Sequence, residues 1–474
     1  YGDHRDLHSF PTRRSSDYTT HASRTTVWPR ARFEAEVQSR LDRSRWHDPG
    51  EAPVPPYLAD TPAVREDIAR YYDCISVMDG EVGEILARLE ADGLADDTIV
   101  FFFSDHGAGL PRHKSTALDT GLRVPLLVRV PERFREQLGV GEPGRVGTVV
   151  SFLDLSATVV QLASGRVPDH LHGEPVFDLV ARSADRVVMA ARDRIDERID
   201  AQRSLSDGRY VYLRNFMPQV PHYQPSEYQS TAVARSETYR LAREGRAPGL
   251  PEALCGPREP EELYDIVADP QQTRNLIGDA AHADVAAQMR ADLRERLLAL
   301  SDLNLLPEAE LVRLGRAHDV SHFGLGLRPD LVPLAEVHRA AWLVGGGEAA
   351  LAEQISLASH GCPSIRFWVA TGLHQQRADA EEVGRTLRLL AADESPIVRA
   401  AAAWALVAHG DADAGFAAFR SVLEGDDALA AEFAARAIQL LEHEAEPLQA
   451  DARRSAERLD SARMRRCISM FAGG

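Results

Sequence analysis

Two side chains that can bind a cation or move a proton, Asp105 and His106, follow an apolar run at residues 99–103 after a single serine, Ser104. The uninterrupted run predicts a strand that is buried on both faces, as in a parallel sheet. Ligands bind at the carboxyl ends of strands in open α/β sheets. The alternative is a simple turn in which Gly107 supplies a positive φ. The presence of Lys114 farther along the same loop favours a site over a turn.

The elements around this loop predict an α/β domain with a wound sheet. Apolar residues recur at helical spacing over residues 64–89, after a capping segment at residues 60–62 with proline at the first helical position, and Gly93 follows the last turn. A second apolar strand is predicted at residues 124–130. Residues 148–162 predict a strand end that leads into a helix.

Charge and composition exclude several function classes. The 474 residues carry a formal net charge of -18, which argues against a general nucleic-acid-binding surface. No stretch approaches the roughly 20 apolar residues of a membrane-spanning helix. The four cysteines are scattered without metal-finger or redox spacing, and small buried hydrophobes are the simpler interpretation.

The first 17 residues do not resemble natural protein sequence. Residues 8–17 resemble the conceptual translation of a common sequencing-adapter oligonucleotide, so we set residues 1–17 aside from the fold prediction. We therefore expect the natural protein to begin farther upstream. A signal peptide would lie on that segment, which leaves the localisation open.

Beyond residue 180 the pattern changes twice. Short strand-like pieces at residues 186–191, 209–214 and 261–267 predict a small antiparallel sheet, followed by a helix at residues 285–300. From residue 305 onward the composition is rich in alanine and leucine and gives no strand signal. We predict three parts after the first 17 residues: an α/β domain (18–180), a small subdomain (181–304) and an all-α region (305–474).

The all-α region contains an internal repeat. Residues 365–373 align with residues 398–406, and a weaker copy follows at residues 433–440. Repeats that recur at the spacing between residues 365 and 398 predict stacked helix pairs in a solenoid. The pattern resembles HEAT repeats, which makes this region a candidate surface for protein contacts.

Several stretches together resemble the sulfatase family of the alkaline-phosphatase-like superfamily. The first runs from Ser104 to residue 129. The others are the arginine- and acid-rich segment 191–198, the hairpin-like segment 207–216 and the segment 261–276, which begins Glu-Glu-Leu-Tyr-Asp. The resemblance extends over about residues 18–300. It implies a partial alkaline-phosphatase-like wound sheet and hydrolysis of sulfate esters, of small molecules or carbohydrates.

The resemblance also implies roles for individual residues. Asp105 matches a ligand of the family's metal ion, expected to be Ca²⁺, and His106 fills a position where many sulfatases carry asparagine. Because imidazole is a poorer calcium ligand than an amide oxygen, the metal is left open. Lys114 matches the lysine that contacts sulfate, and His21 is a candidate acid for the leaving group. His113 is interpreted as a solvated loop residue.

The family's nucleophile is missing from this sequence. It is a formylglycine made from the cysteine of a C-x-P-x-R motif, and the metal site is completed by an aspartate pair; by resemblance both lie upstream of residue 18. Cys362 has an arginine at the right offset but serine in place of proline, and it lies in the helical repeat. Cys255 and Cys74 fit less well. We therefore predict that this chain alone has no sulfatase activity.

Two alternatives stay open. Zinc phosphodiesterases and phosphonate hydrolases of the same superfamily also carry Asp-His-Gly at this strand end, where histidine is a natural zinc ligand. A C-x-P-x-R motif upstream would indicate a sulfatase, and a lone threonine or serine a phosphodiesterase. The third possibility is a non-catalytic binding scaffold built on the helical repeats.

Overall fold

The computed structural model describes residues 19–21, 23–182, 186–378 and 380–470. Residues 1–17, interpreted above as an adapter translation, lie outside the described residues. The first half of the chain alternates helices with short strands: α1 (Arg30–Glu36), α2 (Pro62–Ala91), β1 (Val100–Phe103), α3 (Asp119–Leu122), β2 (Leu126–Arg129), α4 (Glu132–Arg135), α5 (Phe152–Ser164), α6 (Val176–Ala181), β3 (Val188–Arg192), β4 (Gln202–Ser206), β5 (Tyr210–Asn215), α7 (Glu227–Ser230), α8 (Val233–Arg243), α9 (Leu250–Ala253) and β6 (Glu261–Asp265).

The remainder of the described chain is helical, as its composition predicts. Its helices are α10 (Ala283–Ala299), α11 (Glu308–His318), α12 (His322–Gly326), α13 (Leu334–Trp342), α14 (Gly347–Leu357), α15 (Pro363–Gln375), α16 (Ala380–Ala391), α17 (Pro396–Ala408), α18 (Ala412–Leu423), α19 (Ala428–Leu441), α20 (Gln449–Arg458) and α21 (Ala462–Ser469). Among the described residues there is no helix long and apolar enough to cross a membrane.

The chain folds into two compact units. The first comprises Tyr1–Val188 and Tyr228–Glu252, and the second comprises Met189–Glu227 and Ala253–Gly474. The predicted three-part division concerns sequence modules rather than compactness, and it stays a prediction.

In the first unit, the long helix α2 begins and ends where the sequence predicts. The Thr61 hydroxyl accepts a hydrogen bond from the Val64 amide at 3.2 Å, and Gly93 beyond the C-terminus has a φ of 69°. Helix α8 lies against α2, because Asp67 of α2 accepts a hydrogen bond from the Ala234 amide at 2.9 Å. The segment 228–252 is therefore part of this unit.

A strand forms at residues 100–103, but the prediction that it is parallel to its neighbour and buried on both faces is wrong. Strand β1 pairs antiparallel with β2, so that Phe103 lies opposite Leu126, and the Phe103 side chain is 48% exposed. An apolar run does not encode the direction of its neighbour, which is why the pattern misled. The strand end predicted within residues 148–162 is also absent: α5 begins at Phe152, capped by Ser151.

In the second unit, four strands form one sheet in the order β3-β4-β5-β6. Strands β4, β5 and β6 pair antiparallel, as the sequence predicts for this segment, although β4 itself is not predicted. Phe216, which follows β5, packs against Trp342 and Trp368 with ring centroids 5.4 and 6.1 Å apart. The sheet and the helices therefore share one core.

The repeated segments occupy equivalent helices. Residues 365–373 lie in α15, residues 398–406 in α17 and residues 433–440 in α19, and α17 packs against both α15 and α19. The helical character of the region is thus confirmed. Its assignment as a HEAT-like solenoid stays a prediction.

Candidate functional site

The first unit places Asp105 and His106 in a tight bend directly after β1. The Ser104 hydroxyl donates to the His106 carbonyl at 2.7 Å, and His106 Nδ1 lies 2.7 Å from the Gly107 carbonyl oxygen. Because a carbonyl only accepts, Nδ1 carries the proton in this contact and Nε2 keeps its lone pair when the ring is neutral. Nε2 faces Asp105 Oδ2 at 3.7 Å, and the Asp105 side chain is 79% exposed.

Gly107 is required here by close packing rather than by a positive φ. A Cβ atom at Gly107 would lie 2.3 Å from the Thr120 carbonyl oxygen, and the Gly107 amide donates to the Gly121 carbonyl at 3.0 Å. A Cβ atom at Gly121 would lie 1.9 Å from the His113 carbonyl oxygen. The two glycines therefore let the bend after β1 and the loop that carries Lys114 press against α3.

The prediction that His113 is a solvated loop residue is wrong. Its Nε2 lies 2.7 Å from the hydroxyl of Tyr57, a side chain with no exposed surface. Burial and the neighbouring charge of Arg112 lower the pKa of His113 to about 4, while burial raises that of Tyr57 to about 12. The phenol thus donates to a neutral imidazole. His113 anchors the loop on which the next residue, Lys114, is presented.

Lys114 is held at a half-buried position by an aromatic neighbour. Its Nζ lies 3.4 Å from the Tyr228 hydroxyl and 5.3 Å from the centre of the Tyr228 ring. The residues on both sides of the His113–Lys114 pair, Arg112 and Ser115, have φ values of 65° and 62°. Such conformations are uncommon for residues with side chains, and they often accompany functional loops.

A composition signal also marks Lys114. It is the sole lysine in the sequence. All the remaining residues among the 54 lysines and arginines are arginine. Arginine and lysine are not interchangeable, since lysine presents a compact point charge where arginine presents a planar fork. Lys114 therefore offers a compact cation that no other residue of this sequence can supply.

The structure brings His21 into the electrostatic range of the other three predicted site residues. Burial lowers its pKa below the ordinary value, and the positive charges of Lys114 and His106 lower it further, while Asp105 acts in the opposite direction. All four predicted residues therefore belong to one corner of the first unit. A neighbouring cleft is lined by Lys114, Tyr228 and Thr26.

A calcium site is not complete within this corner. Across residues 19–470, apart from the undescribed 22, 183–185 and 379, no three His, Cys, Asp or Glu side chains gather as metal ligands. Ca²⁺ takes six to eight oxygen ligands, whereas this corner offers the Asp105 carboxylate beside an imidazole. The residues of this corner do not fit a calcium ion by themselves.

The cysteines do not resemble a nucleophile in their surroundings. Cys74 is buried in α2, where burial raises its pKa to about 12. Cys362 precedes α15, and the arginine that mimics the family motif, Arg366, pairs with Asp393 at 2.6 Å instead.

The other sulfatase-like stretches lie in the second unit, where their charged residues stabilise the core. Arg203 of β4 has no exposed side-chain surface and bridges Asp193 at 2.8 Å and Asp302 at 2.6 Å. Glu262 accepts hydrogen bonds from Asn215 and Tyr264, both at 2.6 Å. Although burial alone raises the pKa of Glu262, these donors and His222 hold it at about 2.

Sequence reasoning missed Tyr228. No motif surrounds it, and it reaches the corner because residues 228–252 pack with the first unit. The one available signal was indirect: a lone lysine among arginines requires a neighbour that positions it.

Comparison with known proteins relates part of this chain to sulfatases. Residues 9–165 match the family model described as Sulfatase. The chain is 32% identical over 260 residues to the ulvan-active sulfatase of Formosa agariphila, which covers 55% of this chain and 43% of that protein. It is 27% identical over 260 residues to the human N-sulphoglucosamine sulphohydrolase, covering 52% of this chain and 51% of that protein.

One solved structure, of a protein in complex with its substrate D-glucosamine-2-N,6-O-disulfate, overlaps with 56% of this chain and 46% of that chain at a TM-score of 0.36 and 15% identity. The chain spans about half or less of the length of the curated relatives named above. The similarity to sulfatases is therefore shown for residues 9–165, about a third of the chain.

Proposed function

We propose that this chain supplies the sulfate-recognising part of a sulfuric ester hydrolase. Lys114 binds the sulfate oxygens and His21 donates the proton to the leaving alkoxide. The observation that supports this most directly is the depressed pKa of His21, to which burial and Lys114 contribute most. The pKa of His21 thus depends on the charge of Lys114, which a bound anionic ester would offset.

Lys114 suits a sulfate monoester in charge and in access. The ester carries one negative charge spread over three oxygens, and a compact ammonium ion stabilises such oxygens as charge develops on them. The Lys114 side chain is half-buried, so water screens the attraction less than at the surface. Tyr228 contacts the ammonium without neutralising it.

His21 changes protonation state in the direction that the chemistry needs. In the free chain its lowered pKa keeps the ring neutral near pH 7. A bound sulfate ester offsets the charge of Lys114 and raises the pKa of His21, so the ring takes up a proton. When a nucleophile supplied from outside this corner bonds to sulfur and the S–O bond to the alkoxide breaks, the electron pair of the broken bond goes to the leaving oxygen, which takes this proton from His21.

A divalent cation belongs to the proposal, although the corner does not complete its site. Asp105 is the carboxylate that we propose as its ligand, with His106 beside it, and Ca²⁺ is the ion that the family resemblance implies. A complete calcium site would require further oxygen ligands. Such an ion would neutralise part of the charge on the sulfate oxygens.

The substrate that we propose is a carbohydrate sulfate. The name of the human relative specifies a sulfated amino sugar. Beside Lys114, the exposed ring of Tyr228 offers an aromatic face for the apolar side of a sugar. This assignment depends on similarity to about half of each relative and is therefore part of the proposal.

We expect this chain to bind sulfate esters without hydrolysing them. None of its four cysteines lies in a C-x-P-x-R motif, so no cysteine here is such a formylglycine precursor. Incubation with 4-nitrophenyl sulfate in the presence of Ca²⁺ should release no nitrophenol. Release by protein whose cysteines are unmodified would contradict this expectation.

Binding can be followed at Lys114 directly. Reductive methylation with ¹³C-formaldehyde retains the positive charge and labels Lys114 alone, apart from the terminal amine, because no other lysine exists. Titration with glucosamine 2-N-sulfate should shift the Lys114 resonance, and Lys114→Met should weaken binding about ten- to hundredfold, as expected for loss of a charge-assisted hydrogen bond. The same variant should raise the pKa of His21.

A matched control variant tests whether the loss of affinity in Lys114→Met is specific to this position or follows from any loss of positive charge. Arg123 lies in the same unit with a side chain that is 55% exposed. Arg123→Met removes one positive charge outside the corner and should leave affinity unchanged. Equal affinity of Lys114→Met and the parent chain, or an equal loss in Arg123→Met, would refute the assignment.

A second function, a zinc-dependent phosphodiesterase or phosphonate hydrolase, is favoured by one observation. His106 directs Nδ1 to a backbone carbonyl and keeps Nε2 free, an arrangement typical of zinc-ligating histidines. Zn²⁺-dependent hydrolysis of a 4-nitrophenyl phosphonate, lost in His106→Asn, would support this function over the sulfatase proposal.

A further inference from the structure

The second unit contains a cavity that none of the proposed sulfatase chemistry uses. Its volume is about 280 Å³, and it is lined by residues 193–201 together with side chains from α11, α15, α19 and α21. This size is near the lower end of small-molecule sites in proteins. The cavity therefore suits a ligand smaller than a typical drug.

Aromatic rings form much of its apolar lining. Phe367 lies at their centre, with ring centroids 5.1 Å from Trp368 and 5.6 Å from Phe433, both at steep angles. The Trp368 indole N–H already donates to the Leu305 carbonyl at 2.6 Å. The indole thus presents only its apolar and π surfaces to a ligand.

The polar lining is mainly acidic. The carboxylates outnumber the two lining guanidinium groups, those of Arg194 and Arg463, and they are Asp193, Asp196, Glu197, Asp200, Glu308 and Glu432. Several of them are neutralised by arginines, such as Asp200 by Arg258 at 2.6 Å. Glu308 is likewise bound by Arg194, with Nη2 and Oε1 2.9 Å apart.

Glu432 differs from the other carboxylates of the lining. Its Oε1 accepts a hydrogen bond from Ser461 at 2.7 Å, whereas the buried Oε2 accepts none from the described residues. Arg463 Nε approaches Oε2 to 3.0 Å, but outside hydrogen-bond geometry. A desolvated carboxylate oxygen without a donor is costly, and a ligand N–H would remove that cost.

We propose that this cavity binds a small organic ammonium ion whose N–H donates to Glu432 and whose apolar body lies against Phe433 and Trp368. The aromatic rings favour the cation through their electron-rich faces. Burial without full compensation also raises the pKa of the neighbouring Asp193 carboxyl, which a bound cation would reverse. The site is independent of the sulfatase proposal.

Calorimetric titration of the full chain with three probes that share a phenylethyl group tests this proposal. We expect 2-phenylethylammonium to bind with a Kd below about 1 mM. The neutral 2-phenylethanol should bind about tenfold more weakly, and the anion 3-phenylpropionate should not bind. No saturable binding of the ammonium probe in this range, or equal binding of the three probes, would overturn the proposal.

Two variants locate the binding. Glu432→Gln keeps the shape but removes the charge and should weaken binding of the ammonium probe about tenfold, whereas Glu444→Gln, an exposed position outside the cavity, should leave it unchanged. Phe433→Leu removes one ring and should weaken it about two- to fivefold. Equal affinity in Glu432→Gln and Phe433→Leu relative to the parent chain would place the ligand elsewhere and refute this site. If Glu432→Gln does not fold, Phe433→Leu and the order of the three probes decide.

Discussion

The same residue types serve different purposes in the two units. In the second unit, Arg203 is enclosed between Asp193 and Asp302, so that each charge is met by a partner inside the protein. In the first unit, Asp105 is 79% exposed and Lys114 contacts a neutral phenol rather than a carboxylate. Charges that are satisfied internally stabilise the fold, whereas charges left accessible are available to a ligand.

This contrast explains why sequence similarity alone does not identify the site. The segments 191–198 and 261–276 resemble sulfatases as clearly as the stretch around Asp105 does. Several of their arginines and acids are nevertheless paired inside the protein, such as Arg192 with Asp200 at 3.3 Å. Motif resemblance therefore locates related segments, and the pairing of charges separates the structural residues from the candidate site.

The largest loss of stability is expected from removing a buried cation that is paired inside the protein. Arg203→Met should destabilise the second unit by about 3–5 kcal/mol, because Asp193 and Asp302 would stay buried without their cation. Urea unfolding followed by hydrogen exchange in β4 and β5 measures this loss. Arg209→Met, which removes an exposed partner of Asp265, should leave the transition nearly unchanged. Equal losses of stability in Arg203→Met and Arg209→Met would mean that a buried ion pair stabilises this unit no more than an exposed one.

Acid should weaken the loop that carries Lys114. The pKa of His113 is about 4 in the folded chain and ordinarily 6.5, so between these values the unfolded state binds a proton that the folded state does not. Stability therefore falls as the pH drops from about 6.5 to about 4, by about 3 kcal/mol at most.

Hydrogen exchange at residues 107–121, measured across this pH range, tests the role of His113. His113→Asn should be less stable at pH 7 but nearly independent of pH over the same interval, since the titrating group is gone. His172→Asn, in an exposed loop, should retain the pH dependence of the parent chain. An unaltered pH profile in His113→Asn would show that the imidazole does not hold this loop.

Local signals in the sequence predict the helices well. Thr61 and Pro62 mark the start of α2, and Gly93 follows its end, because capping and left-handed backbone are decided by a few neighbouring residues. The repeat at α15 and α17 is equally local. The four site residues were likewise selected from nearby motifs, and the structure gathers them, although their roles stay proposals.

Long-range effects are what the sequence conceals. Strand β4 reads Gln-Arg-Ser-Leu-Ser, a polar pattern, yet Gln202 is buried because its amide donates to Asn215 at 2.6 Å. His113 appears to be an ordinary loop residue until Tyr57, far away in sequence, is placed beside it. Such partners depend on the fold, and no periodicity or turn signal announces them.

The smallest effect is expected from Tyr228, which positions Lys114 without supplying charge. Tyr228→Ala removes both the hydroxyl contact at 3.4 Å and the aromatic face, and should weaken sulfate binding about two- to fivefold. Tyr228→Phe keeps the face and should lose less than twofold. The ¹³C resonance of methylated Lys114 should broaden in Tyr228→Ala, because the ammonium is no longer confined. Unchanged affinity and an unchanged Lys114 resonance in Tyr228→Ala would show that the lysine is positioned by its own loop, through the Tyr57–His113 contact and the backbone at Arg112 and Ser115.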